Sequence, residues 1–142
     1  AGSNRGPAGQ YMAIGNADHR GELPHAEVRG LMARAGIVVS HSIYEPFGLA
    51  PLEAAGDGAA LVLSDIPTYR ELWDEAALFA PAFDANAFAE AVNSLIRDPG
   101  RRAEMAEKAR RRAQRYTLAA QASAMRQVYA DLLNRKPVAR RA

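Results

Sequence analysis

The chain has no cysteine, which excludes disulfides, cysteine-ligated zinc and thiol catalysis and leaves its redox compartment open. No apolar run comes near the ~20 residues that a membrane-spanning helix needs, and no basic, apolar, small-residue signal sequence opens it. An excess of one charge is missing as well. Its 18 Lys and Arg stand against 16 Asp and Glu, so no global field demands nucleic acid. The three histidines, His19, His25 and His41, share no metal-ligand spacing. What is present is 49% hydrophobic and 24% charged residues in 142 positions, the balance of one soluble, globular domain with a real core.

Residues 1–10 carry no large apolar side chain and read as a flexible leader. Tyr11 to Ile14 could form a short strand. Val28, Leu31, Met32 and Ala35 recur at helical spacing, which predicts a helix over 25–35 ended by a left-handed Gly36. Ile37-Val38-Val39 then reads as a buried parallel strand, 48–55 as a helix, Gly56-Asp57-Gly58 as a turn, and 60–63 as a second strand. Strand, loop, helix and strand at this length make a βαβ unit. Pro67 suits a helix start, with Thr68 and Glu71 spaced as a capping box, and that short helix runs to about Asp74. Tyr69 and Trp73 on it read as packing residues. Leu78-Phe79 is a candidate last strand. Phe88, Ala91, Val92, Leu95 and Ile96 mark an amphipathic helix, and Asp98-Pro99 opens another that reaches about Tyr116. A final helix begins at Thr117, with Met125, Val128, Tyr129 and Leu132 on one face, before a basic tail over 135–142 that is expected to be disordered.

The most telling stretch runs from Ser40 to Ala55. It places Glu45 and Glu53 eight positions apart, across a Pro46-Phe47-Gly48 turn that enters a helix. A helix beginning at Gly48 points unpaired N–H groups and a partial positive charge at whatever lies before it, which suits a diphosphate. The loop leaves the carboxyl end of a parallel strand, where open α/β sheets bind ligands. Carboxylates on both sides of a phosphate cradle are wrong for phosphate but right for accepting hydrogen bonds from sugar hydroxyls. The stretch therefore reads as a nucleotide-sugar pocket.

This segment resembles the E-x7-E signature of retaining GT-B glycosyltransferases of family 4. Gly58-Ala59-Ala60-Leu61-Val62-Leu63-Ser64-Asp65-Ile66-Pro67 is similar to that family's G-x-P-V-V-x-S-x-x-P strand and loop. Asp98-Pro99, the Arg/Ala-rich helix and Tyr116-Thr117-Leu118 are similar to its terminal helices, so the likeness covers roughly 21–134. It implies an α/β, Rossmann-like parallel sheet flanked by helices, a partial GT-B C-terminal domain over 11–134 that ends in a helical tail. It also implies a donor site built from Ser42, Glu45, Phe47, Gly48, Leu49 and Glu53. In that site Glu53 holds the ribose hydroxyls, and Glu45, the residue assigned to catalysis, lies beside the donor sugar. The N–H groups of Phe47, Gly48 and Leu49 touch the sugar and the distal phosphate. The implied reaction is hexosyl transfer from a nucleoside-diphosphate sugar to an unknown acceptor, with no protein nucleophile, no cofactor and no metal. No two Asp residues stand two apart, so the D-x-D pair of metal-dependent glycosyltransferases is missing. The family's acceptor-side domain and the basic residues of its diphosphate site have no counterpart here, so the reading requires a further half in the same or another chain. His41 and Ala60 stand where the family usually carries Pro. A cytoplasmic protein, peripheral to the membrane, fits this resemblance.

Two other readings remain open. The chain could be a sugar-nucleotide binding module without activity. It could also be an adaptor for anionic surfaces, because Arg101, Arg102, Lys108, Arg110, Arg111, Arg112 and Arg115 face only Glu104 and Glu107 on one helix. No aromatic platform interleaves that stripe, which disfavours nucleic acid and leaves a solvated face or a membrane surface.

Overall fold

The computed structural model describes residues 2–6 and 8–134. Three strands, β1 (Ile37–Ser40), β2 (Ala60–Ser64) and β3 (Leu78–Ala80), form a parallel sheet in the order β1-β2-β3. Val38 lies opposite Leu61, Val39 opposite Val62, and Leu63 opposite Phe79. Helices α1 (His25–Met32), α2 (Leu49–Gly56), α3 (Pro67–Trp73), α4 (Ala85–Arg97), α5 (Pro99–Ala113) and α6 (Leu118–Asn134) surround or follow it, with a 3-10 turn at Gln114–Tyr116. The β1-α2-β2 unit and the parallel, helix-flanked sheet agree with the expectation from sequence.

The central strand explains the layering. β2 is buried at every position, so it carries apolar residues without a polar alternation. Leu61 and Leu63 face one core with Ala54, Ala55, Tyr69, Trp73 and Ala109, which α2, α3 and α5 supply. Ala60 and Val62 face the other, with Leu95 of α4 and Met105 of α5. Tyr69 and Trp73 are fully enclosed and serve packing, as their places on the short helix suggested.

Local chemistry sets several of the boundaries. Pro99 opens α5, and the Asp98 carboxylate accepts a hydrogen bond from Arg101 N–H at 2.8 Å. Asp84 does the same for α4 through Ala87 N–H at 3.0 Å. Thr117 caps α6 through Ala120 N–H at 3.2 Å. Asp98→Ala is expected to cost about 1 kcal/mol of stability, the ordinary worth of a cap, read from the urea midpoint.

Five expectations are corrected. β1 is a strand but not a buried one: Ile37, Val38 and Ser40 are half-buried and Val39 is 45% exposed, because β1 is an edge of the described sheet. Tyr11 to Ile14 is not a strand; Tyr11 makes one isolated antiparallel bridge to Arg5, and no ladder follows to pair the rest. The first helix stops at Met32 instead of Ala35, and Gly36 is not left-handed. Arg34 N–H to Leu31 C=O and Ala35 N–H to Met32 C=O bonds tighten the end into 3-10 geometry, which satisfies its carbonyls without a left-handed glycine. Thr68 and Glu71 form no capping box, because Pro67 occupies the first helical position and makes the extended Ile66 the N-cap. Ile96 leaves the stripe of α4 and is 55% exposed, whereas Leu95 is buried. Met125, Val128, Tyr129 and Leu132 do share a face of α6, yet all four are exposed and no residue of α6 is buried. The expected basic tail over 135–142 lies outside the described residues. Among the described residues no helix is long and apolar enough to cross a membrane.

Candidate functional site

The loop that follows β1 is pinned from below by hydroxyl groups. Ser40 Oγ lies 2.7 Å from Tyr69 Oη and 3.4 Å from Ser42 Oγ, so a short chain of hydroxyls ties the loop to the buried face of α3. Ser64 Oγ on β2 donates to Ser40 C=O at 3.4 Å. Phe47 stands edge-on to Tyr116, with centroids 5.6 Å apart, and fastens the far end of the loop to the turn after α5.

Gly48 then makes the sharp entry into α2. Its φ of 88° and ψ of 65° lie in the left-handed region, and a Cβ there would meet Tyr69 Cε1 at 2.8 Å. No side chain longer than hydrogen fits. The turn folds Glu45 back on the helix, where its Oε1 accepts the Gly48 N–H at 2.9 Å and the Phe47 N–H at 3.4 Å. Glu45 thus occupies the start of α2 as an anion placed by the helix dipole. Both bonds use Oε1, which corrects the expectation that the Phe47 and Gly48 N–H groups meet the sugar and the distal phosphate: the left-handed turn at Gly48 turns them onto Glu45 instead. At the start of α2 only the Leu49 and Ala50 N–H groups lack an intrahelical partner by geometry, since Pro51 has no N–H and Leu52 N–H bonds to Gly48 C=O at 3.2 Å, and the Leu49 side chain is exposed.

Glu53 lies in the second turn of α2, 35% exposed at its side chain, with His25 Nε2 at 3.7 Å from its Oε1. One turn further, Arg29 Nη2 donates to Asp57 Oδ1 at 2.7 Å. α1 and α2 therefore lie side by side in the same direction, joined by two pairs at matched four-residue spacing. His25 reads from sequence as an ordinary surface residue, and its side chain is indeed 77% exposed, yet it stands against Glu53. The signal that could have found it is the spacing itself: His25 and Arg29 repeat four apart, as Glu53 and Asp57 do.

The loop after β2 is held by a different clamp. Arg70 donates to both Asp65 oxygens, at 2.6 and 2.8 Å, and its guanidinium lies 4.0 Å from the centroid of the Phe79 ring. Arg70 beside it holds the Asp65 carboxyl below the usual carboxylate range. His41 points elsewhere: it lines a cleft of about 340 Å3 with Val39, Ala82, Phe83, Ala85 and Phe88, on the α4 side of the sheet. Ser42, Glu45, Phe47 and Gly48 lie in the one loop between β1 and α2, Leu49 opens the helix, and Glu53 lies in its second turn. Among the described residues no three His, Asp or Glu side chains converge as metal ligands would.

A three-stranded parallel sheet flanked by helices and followed by a helical tail is similar to a GT-B glycosyltransferase domain. Sucrose-phosphate synthase from Thermosynechococcus elongatus superimposes with a TM-score of 0.72 at 30% identity, over 80% of this chain and 29% of that one. The chain belongs to the family Glycosyl transferases group 1, whose model matches residues 6–112. It is 38% identical over 94 residues to a glycogen synthase of Mycobacterium tuberculosis, across 65% of this chain and 23% of that protein. It is also 34% identical over 116 residues to a lipopolysaccharide core biosynthesis mannosyltransferase of Rhizobium leguminosarum bv. viciae, across 80% of this chain and 32% of that protein. The chain thus spans between 23% and 32% of the length of these proteins.

Proposed function

We propose that this chain is the donor-binding, C-terminal part of a retaining glycosyltransferase of family 4. It takes a nucleoside-diphosphate sugar and passes the hexosyl group to an acceptor that a second domain, in the same or another chain, presents. The observation that carries this reading is Glu45 pinned by Oε1 to the Gly48 N–H at 2.9 Å, at the mouth of the helix that carries Glu53. One carboxylate oxygen is engaged by the fold, so the other is preorganised to accept from a sugar hydroxyl without reorganising.

Each residue then has its place. Glu53 accepts from the ribose hydroxyls, with His25 beside it. Glu45 accepts from a donor-sugar hydroxyl. Ser42, Phe47 and Gly48 shape that end of the pocket, and Leu49 N–H with the dipole of α2 faces the distal phosphate. The acceptor attacks from the face that the diphosphate leaves, and the departing phosphate oxygen takes its proton. This route calls for no protein nucleophile and no metal. This reading carries with it a place in the cytoplasm, peripheral to the membrane.

The reading predicts a thermal shift with one of UDP, GDP or ADP that is lost in Glu53→Ala. A nucleotide at about 100 times its Kd adds roughly 2.7 kcal/mol to the folded state. Losing charge-assisted bonds to the ribose weakens affinity about tenfold or more. A cooperative melt that no nucleotide moves, or a shift that Glu53→Ala leaves intact, sinks the assignment.

A further inference from the structure

Lys108, Arg111, Arg112 and Arg115 recur at helical spacing, so they share one face of α5 and the turn after it. With Glu75 and Ala76 they line a cleft of about 450 Å3, which contains neither Glu45 nor Glu53. The four cations differ in how fully they are matched. Lys108 pairs with Glu104 at 2.7 Å, and Arg111 pairs with Glu107 at 2.7 Å, an acid that also holds Arg110. Arg112 donates to the carbonyls of Leu72 and Asp74 at 2.9 and 2.8 Å. Those bonds lock its guanidinium at the end of α3 and leave its charge unneutralised. Among the described residues, neither Arg115 nor Glu75 has an ion-pair partner within 4.0 Å. Glu75 itself turns with a φ of 63°, left-handed without being glycine, to bring the chain past the rim.

We propose that this cleft binds the phosphate group of a small phosphorylated ligand. One cation is fixed in direction by backbone carbonyls, one is unpaired, and two more stand at the wall. Guanidinium forks match phosphate oxygens in pairs. The volume falls in the ordinary range for small-ligand pockets, about 300–1,000 Å3. No aromatic residue lines it, so there is no platform for stacked bases. Glu75 is the one repulsive group in the lining, which gives the site a built-in test of sign.

The experiment is an amide NMR titration of the 142-residue chain with inorganic phosphate, at constant ionic strength made up with chloride. A parallel arm uses phosphatidylglycerol vesicles with and without added phosphate, to separate a free phosphate from a lipid headgroup. Saturable shifts at 75–76 and 108–115, and none at 47–49, are expected. Arg115→Ala should weaken the affinity about tenfold while its melt stays that of the parent, and Glu75→Gln should strengthen it. Vesicle binding that phosphate competes away and that Arg115→Ala weakens assigns the same chemistry to a headgroup. Shifts that never saturate, that spread over every surface arginine or that centre on 47–49 overturn the proposal. So do equal affinities in both variants, and vesicle binding that phosphate does not displace. Shifts at 75–76 and 108–115 do not involve the donor site, so the nucleotide titration, which reports that site, can fail or succeed independently of them.

Discussion

Gly48→Ala is expected to lower stability by about 2–5 kcal/mol, from about 1–2 for a left-handed backbone and about 1–3 for overpacking. The conformational part follows from φ of 88°, where a Cβ crowds the following carbonyl. The packing part follows from Tyr69, whose Cε1 would lie 2.8 Å from the new methyl. Tyr69 cannot step aside, because it is fully buried and its hydroxyl is bound to Ser40 Oγ at 2.7 Å. Urea unfolding measures the loss as a shift in midpoint at unchanged slope. Adding Tyr69→Leu separates the two parts: the packing part should vanish in the double variant and appear as a coupling energy of about 1 kcal/mol or more. A loss under about 1 kcal/mol would mean that the loop relaxes around the methyl and that Gly48 is not what fixes its shape.

The elements that were legible in the sequence are those set by residues close along the chain. Asp98 followed by Pro99 needs nothing beyond its own turn to start α5, and the β-branched run at Ile37 needs only a helix end before it to become a strand. The failures share a different cause. The Thr68 and Glu71 spacing is genuine, but Pro67 at the first helical position makes Ile66 the N-cap, two residues too early for it. Tyr11 to Ile14 has strand-like residues and no neighbouring strand to bond with. In the loop before α2, the turn at Gly48 was readable, but the contacts that hold it were not. That Gly48 is required by Tyr69, twenty-one positions away, and that Glu45 closes on its own helix, are facts of packing. His25 reached Glu53 by the same route, through the side-by-side placement of α1 and α2. The basic stripe of α5 and the turn after it also divides in a way spacing could not show: Arg112 is clamped to carbonyls, Lys108, Arg110 and Arg111 pair with acids, and Arg101, Arg102 and Arg115 have no ion-pair partner within 4.0 Å among the described residues.

Glu45 is where fold and chemistry meet, and two substitutions separate them. Glu45→Gln keeps an Oε1 that can accept the Gly48 N–H, so the start of α2 and the loop should survive with stability within about 1 kcal/mol of the parent. What changes is the other half of the group: the oxygen assigned above, in the proposed donor site, to accept from a sugar hydroxyl becomes an NH2 that can only donate. Together with the acceptor-bearing domain, that variant should transfer sugar about 100-fold or more slowly, the scale seen when one preorganised group is removed from a developing charge. Its nucleotide affinity should hardly move, because Glu53 is untouched. Glu45→Ala should show the same transfer defect and an added loss of about 1 kcal/mol, since the helix then opens without its anion. The measurements are a melt of each variant, a nucleotide titration and an initial-rate assay. Full transfer by Glu45→Gln would leave Glu45 as a helix cap alone and return the catalytic role to backbone groups. A slow Glu45→Gln with a parental melt would show that the same carboxylate holds the turn with one oxygen and the donor sugar with the other.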